Sequence, residues 1–144
     1  MHVRFFVPGI PKPAGSKRSM IHPKTRKAIT LDANKKTKPW QADVKYHASK
    51  AMHAKDPVLG PVKLLVSFSF PRPKCHYRTG KKSHLMKDCA PVYHTNAPDL
   101  SKLIRAIEDA MIGVVYVDDR QVAETFSLKG YDSKPGASIT VMTL

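Results

Sequence analysis

The stretch VKLLVSFSF, residues 62–70, constrains the fold more than any other part of the chain. Val62, Leu64, Val66, Phe68 and Phe70 fall on every second position, so in an extended chain they share one face. A strand with one wholly apolar face needs a cover. The segment DLSKLIRAIEDAMIG, 99–113, supplies one. Leu100, Leu103, Ile104, Ile107 and Met111 recur at helical spacing and form a single stripe, with Gly113 as a natural stop. That stripe docks the helix on the sheet.

Other elements follow from similar signals. HVRFFV (2–7) is rich in β-formers and reads as an opening strand. Residues 8–27 are dense in Pro, Gly and cations, too basic to bury, and read as a long loop or β-arm. A helix begins near Pro39, since proline suits a first turn, and runs through WQADVKYHASKAMHA with Trp40, Val44, His47, Ala48 and Ala51 on one face. Residues 71–98 form a long irregular segment whose cations and tyrosines suit a DNA-contacting excursion. VVYV leads into Asp118–Asp119, and QVAETFSLKGY and ASITVMTL close the chain as two neighbouring strands. The expectation is an α/β (α+β) fold: one small domain over 1–144, with two main helices packed on a mixed β-sheet.

Charge narrows the partner. The chain carries 25 Lys and Arg against 11 Asp and Glu, a formal net charge of +14. Solubility needs far less, whereas a polyanion rewards it through counterion release, so nucleic acid is the expected partner. A membrane is not: no apolar run approaches a spanning helix, and no basic amphipathic helix with an aromatic face stands out. No signal-peptide core appears in MHVRFFVPGIPKP, and two cysteines give no disulfide framework, so a cytoplasmic protein is expected.

Against this basic background, five of the 11 acids fall between positions 99 and 119: Asp99, Glu108, Asp109, Asp118 and Asp119. Nucleases that cut with a hard divalent cation need such carboxylates to hold it. Ser101, Arg105 and Glu108 share the polar face of the helix, opposite its apolar stripe. Blander readings stand beside this one. Asp99 also suits an N-cap, Glu108 a surface pair with Arg105, and Asp118–Asp119 an ordinary turn.

PDLSKLIRAIEDAM followed by GVVYVDDRQV resembles the RusA family of Holliday-junction resolvases, especially versions carried by phages and prophages. That family's pattern is an aspartate-bearing D-x-D-N-x-x-K helix and then an Asp-Asp-x-Gln-Val turn into a strand. FFVPGIPKPAGSKR, KPWQADVKYHA and SFSFPRPKCHYRTGK resemble further parts of it, so the likeness covers most of the chain. It implies a small homodimeric endonuclease, dependent on Mg²⁺ with Mn²⁺ as a substitute, that nicks symmetric strands of four-way DNA in the bacterial or phage-infected cytoplasm. It also implies Asp99 and Asp119 as metal ligands, with Asp118 beside them. Two departures matter. Ser101 and Lys102 stand where the family has aspartate and asparagine, and Arg105 replaces its lysine. With a helix carboxylate missing, Glu108 is the candidate substitute ligand, and Arg105 the residue facing the scissile phosphate. The rival expectations are a non-catalytic DNA-binding protein and a nuclease for flaps or forks.

Lys12, Lys17, Arg18, Lys24, Arg26 and Lys27 form one expected DNA-binding edge, with Arg72, Lys74, Arg78, Lys81, Lys82 and Lys102 as further cations. Cys75, His76, His84, Cys89 and His94 raise a zinc reading, but their spacing matches no zinc pairing. Trp40 and Tyr77 either stack on an opened base or pack within the protein.

Overall fold

The computed structural model describes residues 1–15, 17–32 and 35–144, leaving out the side chains of residues 17, 18 and 30–32. Its elements are β1 (His2–Pro8), β2 (Lys17–Ile21), β3 (Ala28–Asp32), α1 (Thr37–Met52), β4 (Val62–Phe70), α2 (Leu100–Met111), β5 (Val122–Tyr131) and β6 (Gly136–Thr143). The main sheet runs β1-β6-β4-β5, and β2 and β3 form a separate hairpin. It is a mixed sheet with two helices, an α+β domain.

β4 earns its central place by composition. Val62, Leu64, Val66, Phe68 and Phe70 are all buried, while the residues between them are only half-exposed. β4 pairs antiparallel with β6 and parallel with β5. The last two strands are therefore not neighbours, contrary to expectation: β4 lies between them. Alternation cannot name a strand's partner, but exposure can place it. Ala123, Glu124, Thr125 and Phe126 are exposed along β5, which suits an edge.

Parallel pairing of β4 and β5 needs a long crossover, and α2 lies in it. Leu103, Ala106, Ile107, Ala110 and Met111 of α2 are buried, with Leu100 and Ile104 at the margin. Helix α1 buries Trp40, Val44, Ala48 and Met52, leaving His47 and Ala51 half-exposed. It starts two residues before Pro39, where the buried Thr37 hydroxyl donates to the Pro13 carbonyl (2.6 Å). It stops at Met52, short of the expected Ala54, because His53 and Ala54 adopt positive φ. Residues 8–27 hold a β-arm that continues past its expected end to Asp32.

The long excursion is folded on side chains the sequence had marked for DNA. The Arg72 guanidinium stacks 4.5 Å above the Tyr131 ring and donates to the Pro91 carbonyl (2.7 Å). His94 stacks on Phe70 with ring centroids 4.2 Å apart. Arg78 pairs with Asp88 at 3.1 Å. Lys129 pins the far end of the excursion by donating to the carbonyls of Asn96 (2.7 Å) and Pro98 (2.6 Å).

The crossover closes on Gln121. Its Oε1 accepts from the backbone N–H groups of Val117 (2.8 Å) and Asp118 (2.9 Å). Its Nε2 donates to the carbonyls of Val58 (2.8 Å) and Gly60 (2.9 Å). The β4–β5 ladder begins immediately beyond, at Val62 and Val122. Gln121→Ala removes these bonds at once and is expected to cost about 2–3 kcal/mol. Gln121→Glu should cost a similar amount, because a carboxylate cannot donate to the two carbonyls. Urea unfolding measures both, and a wild-type midpoint for Gln121→Glu contradicts this role.

Candidate active site and nucleic-acid interface

The five clustered acids separate into three environments. Asp99 precedes the first turn of α2 in the N-cap position, with extended backbone, but its side chain caps nothing. It pairs instead with Lys102, one turn on, at 3.1 Å. Asp118 belongs to the turn. Its Oδ1 accepts from the Arg120 backbone N–H (2.9 Å), and the Arg120 guanidinium grips both oxygens at 2.8 and 2.9 Å. With Gln121 it forms a capping box. These Arg120 hydrogen bonds hold the Asp118 carboxyl well below the usual carboxylate range. The turn reading thus describes Asp118, whose oxygens are already engaged.

Glu108, Asp109 and Asp119 make the third environment. Burial pushes the Glu108 carboxyl up, and the charges of Asp119 and then Asp109 push it further. Tyr116, fully buried, donates its hydroxyl to the Glu108 backbone carbonyl (3.0 Å). Its phenol is raised by burial and then by the same acids. Tyr116 fixes the chain after α2 against the end of that helix, which brings Asp119 to Glu108. No Arg105–Glu108 ion pair forms. The charge of Asp119 in the turn bears on the Glu108 carboxyl.

Asp99 lies at the other end. From Asp99 to Glu108 the helix advances about 14 Å at ~1.5 Å per residue. β5 gives a second ruler. Asp119 lies three residues before its start, whereas Lys129 holds the residues before Asp99 from seven positions along it, about 23 Å at ~3.3 Å per residue. One chain therefore carries two acidic stations at opposite ends of α2. Among the described residues, no three His, Cys, Asp or Glu side chains gather closely enough to hold a metal ion. A Mg²⁺ ion, however, is commonly held by one or two carboxylates completed by water and phosphate oxygens. Glu108 and Asp119, hard oxygen donors whose charges already oppose each other, fit that chemistry.

The cations are distributed with equal selectivity. At the hairpin tip, His22 Nδ1 accepts from the backbone N–H groups of Lys24 (3.3 Å) and Thr25 (3.2 Å). The tight turn leaves Lys24, Arg26 and Lys27 exposed. Lys74, Lys81 and Lys82 are exposed on the excursion, and Lys12 is half-buried near Trp40. Arg72, Arg78 and Lys102 hold protein groups. The side chains of Lys17 and Arg18 lie outside the described residues. The zinc reading fails in its geometry: Cys75 and Cys89 are free and exposed, while His76 and His94 pack against Tyr131. Trp40 is buried in the core, as its packing reading had it, and Tyr77 is half-buried.

Asp109, Tyr116, Gln121 and Lys129 were absent from the sequence-derived site. The Gln of the Asp-Asp-x-Gln turn offered a signal for one of them. Nothing in local spacing marks Lys129, whose partners lie some thirty residues away.

The family model for endodeoxyribonuclease RusA matches residues 8–142 of the chain. No curated protein matches it.

The raised Glu108 carboxyl has a consequence for stability. A carboxyl whose folded pKa exceeds its unfolded value favours folding below the unfolded pKa, and that contribution is lost as pH rises through the folded value. At neutral pH the ionised group therefore weakens the metal-free fold. Glu108→Gln is expected to raise stability at pH 7 in EDTA by less than about 1 kcal/mol, allowing for solvent screening. The gain should shrink as the pH falls through the carboxylate range. Thermal unfolding across pH tests this, and a pH-independent difference contradicts it.

Proposed function

The chain belongs to the RusA family of endodeoxyribonucleases, and from that membership we propose that it resolves four-way DNA junctions by paired, Mg²⁺-dependent nicks. The separation of Asp99 from Asp119 carries the reading further. Within one chain the two acids stand at opposite ends of α2, so a site using both requires a second copy. A two-fold dimer that sets Asp99 of one copy beside Asp119 and Glu108 of the other would do so twice over. Two equivalent sites are what symmetric nicking of a four-way junction requires.

In this reading Asp119 and Glu108 hold the divalent cation, with Asp99 completing the set across the dimer. Bound there, Mg²⁺ would activate water and stabilise charge on the phosphate. The protein's own groups do the positioning. Arg105, exposed on the polar face of α2 between the two stations and in no ion pair among the described residues, would neutralise the scissile phosphate. Arg120 keeps Asp118 in the turn and out of the ligand set. Lys24, Arg26 and Lys27 at the hairpin tip, with Lys74, Lys81 and Lys82, bind backbone phosphates without reading sequence.

Purified protein incubated with four-way junction, linear duplex and flap DNA, with Mg²⁺ or EDTA, tests the activity. Paired nicks on the junction alone are expected. Binding without cutting would favour the non-catalytic reading that Ser101 raises, and equal cutting of flaps would favour a broader nuclease. Asp99→Asn and Asp119→Asn should each lower cleavage on the order of a hundredfold, the scale of losing one group that stabilises transition-state charge. Glu108→Gln should abolish cutting and spare junction binding.

Mixing the two aspartate variants tests the shared site. If the acids meet across the dimer, a mixed dimer has one intact site and one doubly altered site, and single-strand nicking returns. If they meet within one chain, the mixture stays inactive. Neutralising Lys24, Arg26 and Lys27 together should flatten the salt dependence of binding by about one logarithmic unit per lost phosphate contact.

A further inference from the structure

A cavity of about 380 Å³ opens beside the exit of β1, between that segment and the start of α1. Its volume lies within the ~300–1,000 Å³ typical of small-molecule sites. Gly9, Ile10 and Trp40 give it apolar walls, Lys12 and Lys35 are cationic, and Asp43 adds a carboxylate. Gly9 turns the chain here at φ +109, a conformation that side-chain-bearing residues rarely adopt.

Two features distinguish this cavity from a general phosphate-binding surface. The first is Trp40. It lines the cavity and is only 4% exposed, so the core holds its ring fixed as an apolar wall. The second is the combination of walls and charge. Apolar surface suits the faces of a planar ring, the lysines suit the phosphates on either side of it, and Asp43 can accept from an N–H on its edge. A lone phosphate would use only the lysines.

We propose that this cavity receives an unpaired base extruded at the branch point of the DNA. The inference rests on the junction-binding reading and adds a discriminating contact to it. Taking a base out of the stack costs least where pairing is already broken, so such a site favours a branch over a continuous duplex. Its position agrees. The same segment continues to Ala14, whose N–H donates to the Lys102 carbonyl (2.9 Å) in the first turn of α2, beside Asp99. A base held here places its own strand at the N-terminal acidic station.

The test uses the full-length protein in EDTA, so that nothing is cut. Four-way junctions carry 5-iodouracil either at the branch point or in the middle of an arm. After irradiation, the branch-point probe should cross-link within residues 8–12 or 39–43, and the arm probe should not. Trp40, the single tryptophan of the chain, should lose emission on binding the branched DNA but not linear duplex. A branch-point probe that cross-links elsewhere, or not at all, while a gel shift shows the junction bound overturns the inference and leaves the junction reading intact. Absence of any junction binding overturns both.

A second variant separates recognition from folding. Ile10 is 47% exposed, so Ile10→Glu leaves the core alone and sets a negative charge in the cavity. It should weaken junction binding about tenfold, the scale of one lost base contact, with duplex binding changed little. Equal weakening on both DNAs overturns the inference.

Discussion

The Gln121 side-chain amide holds the topology together. A parallel pair of strands cannot be joined by a tight turn, so the chain from β4 must travel through the excursion and α2 before β5 can begin. Where it returns, its register with β4 has to be set by something other than loop length. Gln121 sets it by reading two backbone segments at once, accepting from Val117 and Asp118 and donating to Val58 and Gly60. Backbone contacts reinforce the clamp, with the Val58 N–H donating to the Val115 carbonyl at 2.9 Å. The residue therefore fixes where β5 starts and where Asp119, two positions before it, stands.

The acidic residues take their roles from that placement. Tyr116 and Gln121 fold residues 112–121 against the C-terminal end of α2, which leaves Asp99 alone at the N-terminal end. Asp118 and Asp119 are adjacent in sequence yet differ in availability. Asp118 has both oxygens on Arg120, while the charge of Asp119 bears on Glu108. An Asp-Asp pair in such a turn is thus a division of labour: one aspartate builds the turn and the other is presented by it.

Periodic features were legible in the sequence. The alternation from Val62 to Phe70 specified a strand with one buried face, and the stripe from Leu100 to Met111 specified the helix that covers it. Ala106 and Ala110 joined that stripe only in the fold, since small residues announce neither face. Pairing between strands was not legible, because alternation reports which face is buried and is silent about the neighbour. Hence β5 and β6 read as adjacent when β4 separates them. The distance between Asp99 and Asp119 was not legible, since a chain returning along the helix could have brought the turn back to Asp99, and only the fold sets it at the other end. Likewise the cations of the excursion looked uniform in sequence. Only tertiary contacts separate Arg72 and Arg78, which fold the loop, from Lys74, Lys81 and Lys82, which remain exposed.

The two acidic stations also differ in how well the chain compensates them. At the N-terminal end of α2, Asp99 has Lys102 at 3.1 Å and the positive end of the helix dipole, which favours a nearby anion. At the C-terminal end the dipole reverses. There Glu108 and Asp109 meet the negative helix end and Asp119 adds a third carboxylate; among the described residues no ion pair answers Glu108 or Asp109, and Arg120, which grips Asp118, is the cation that the charge of Asp119 also reaches. Such a cluster destabilises a chain unless function retains it, and this one occurs in a protein with a net charge of +14, where a neighbouring lysine was readily available. The proposed divalent cation, held against DNA, would supply the compensation that this cluster lacks within the chain. On that proposal Ser101 is no longer the weak point of the site, because the acidic cluster lies at Glu108 and Asp119, two turns away.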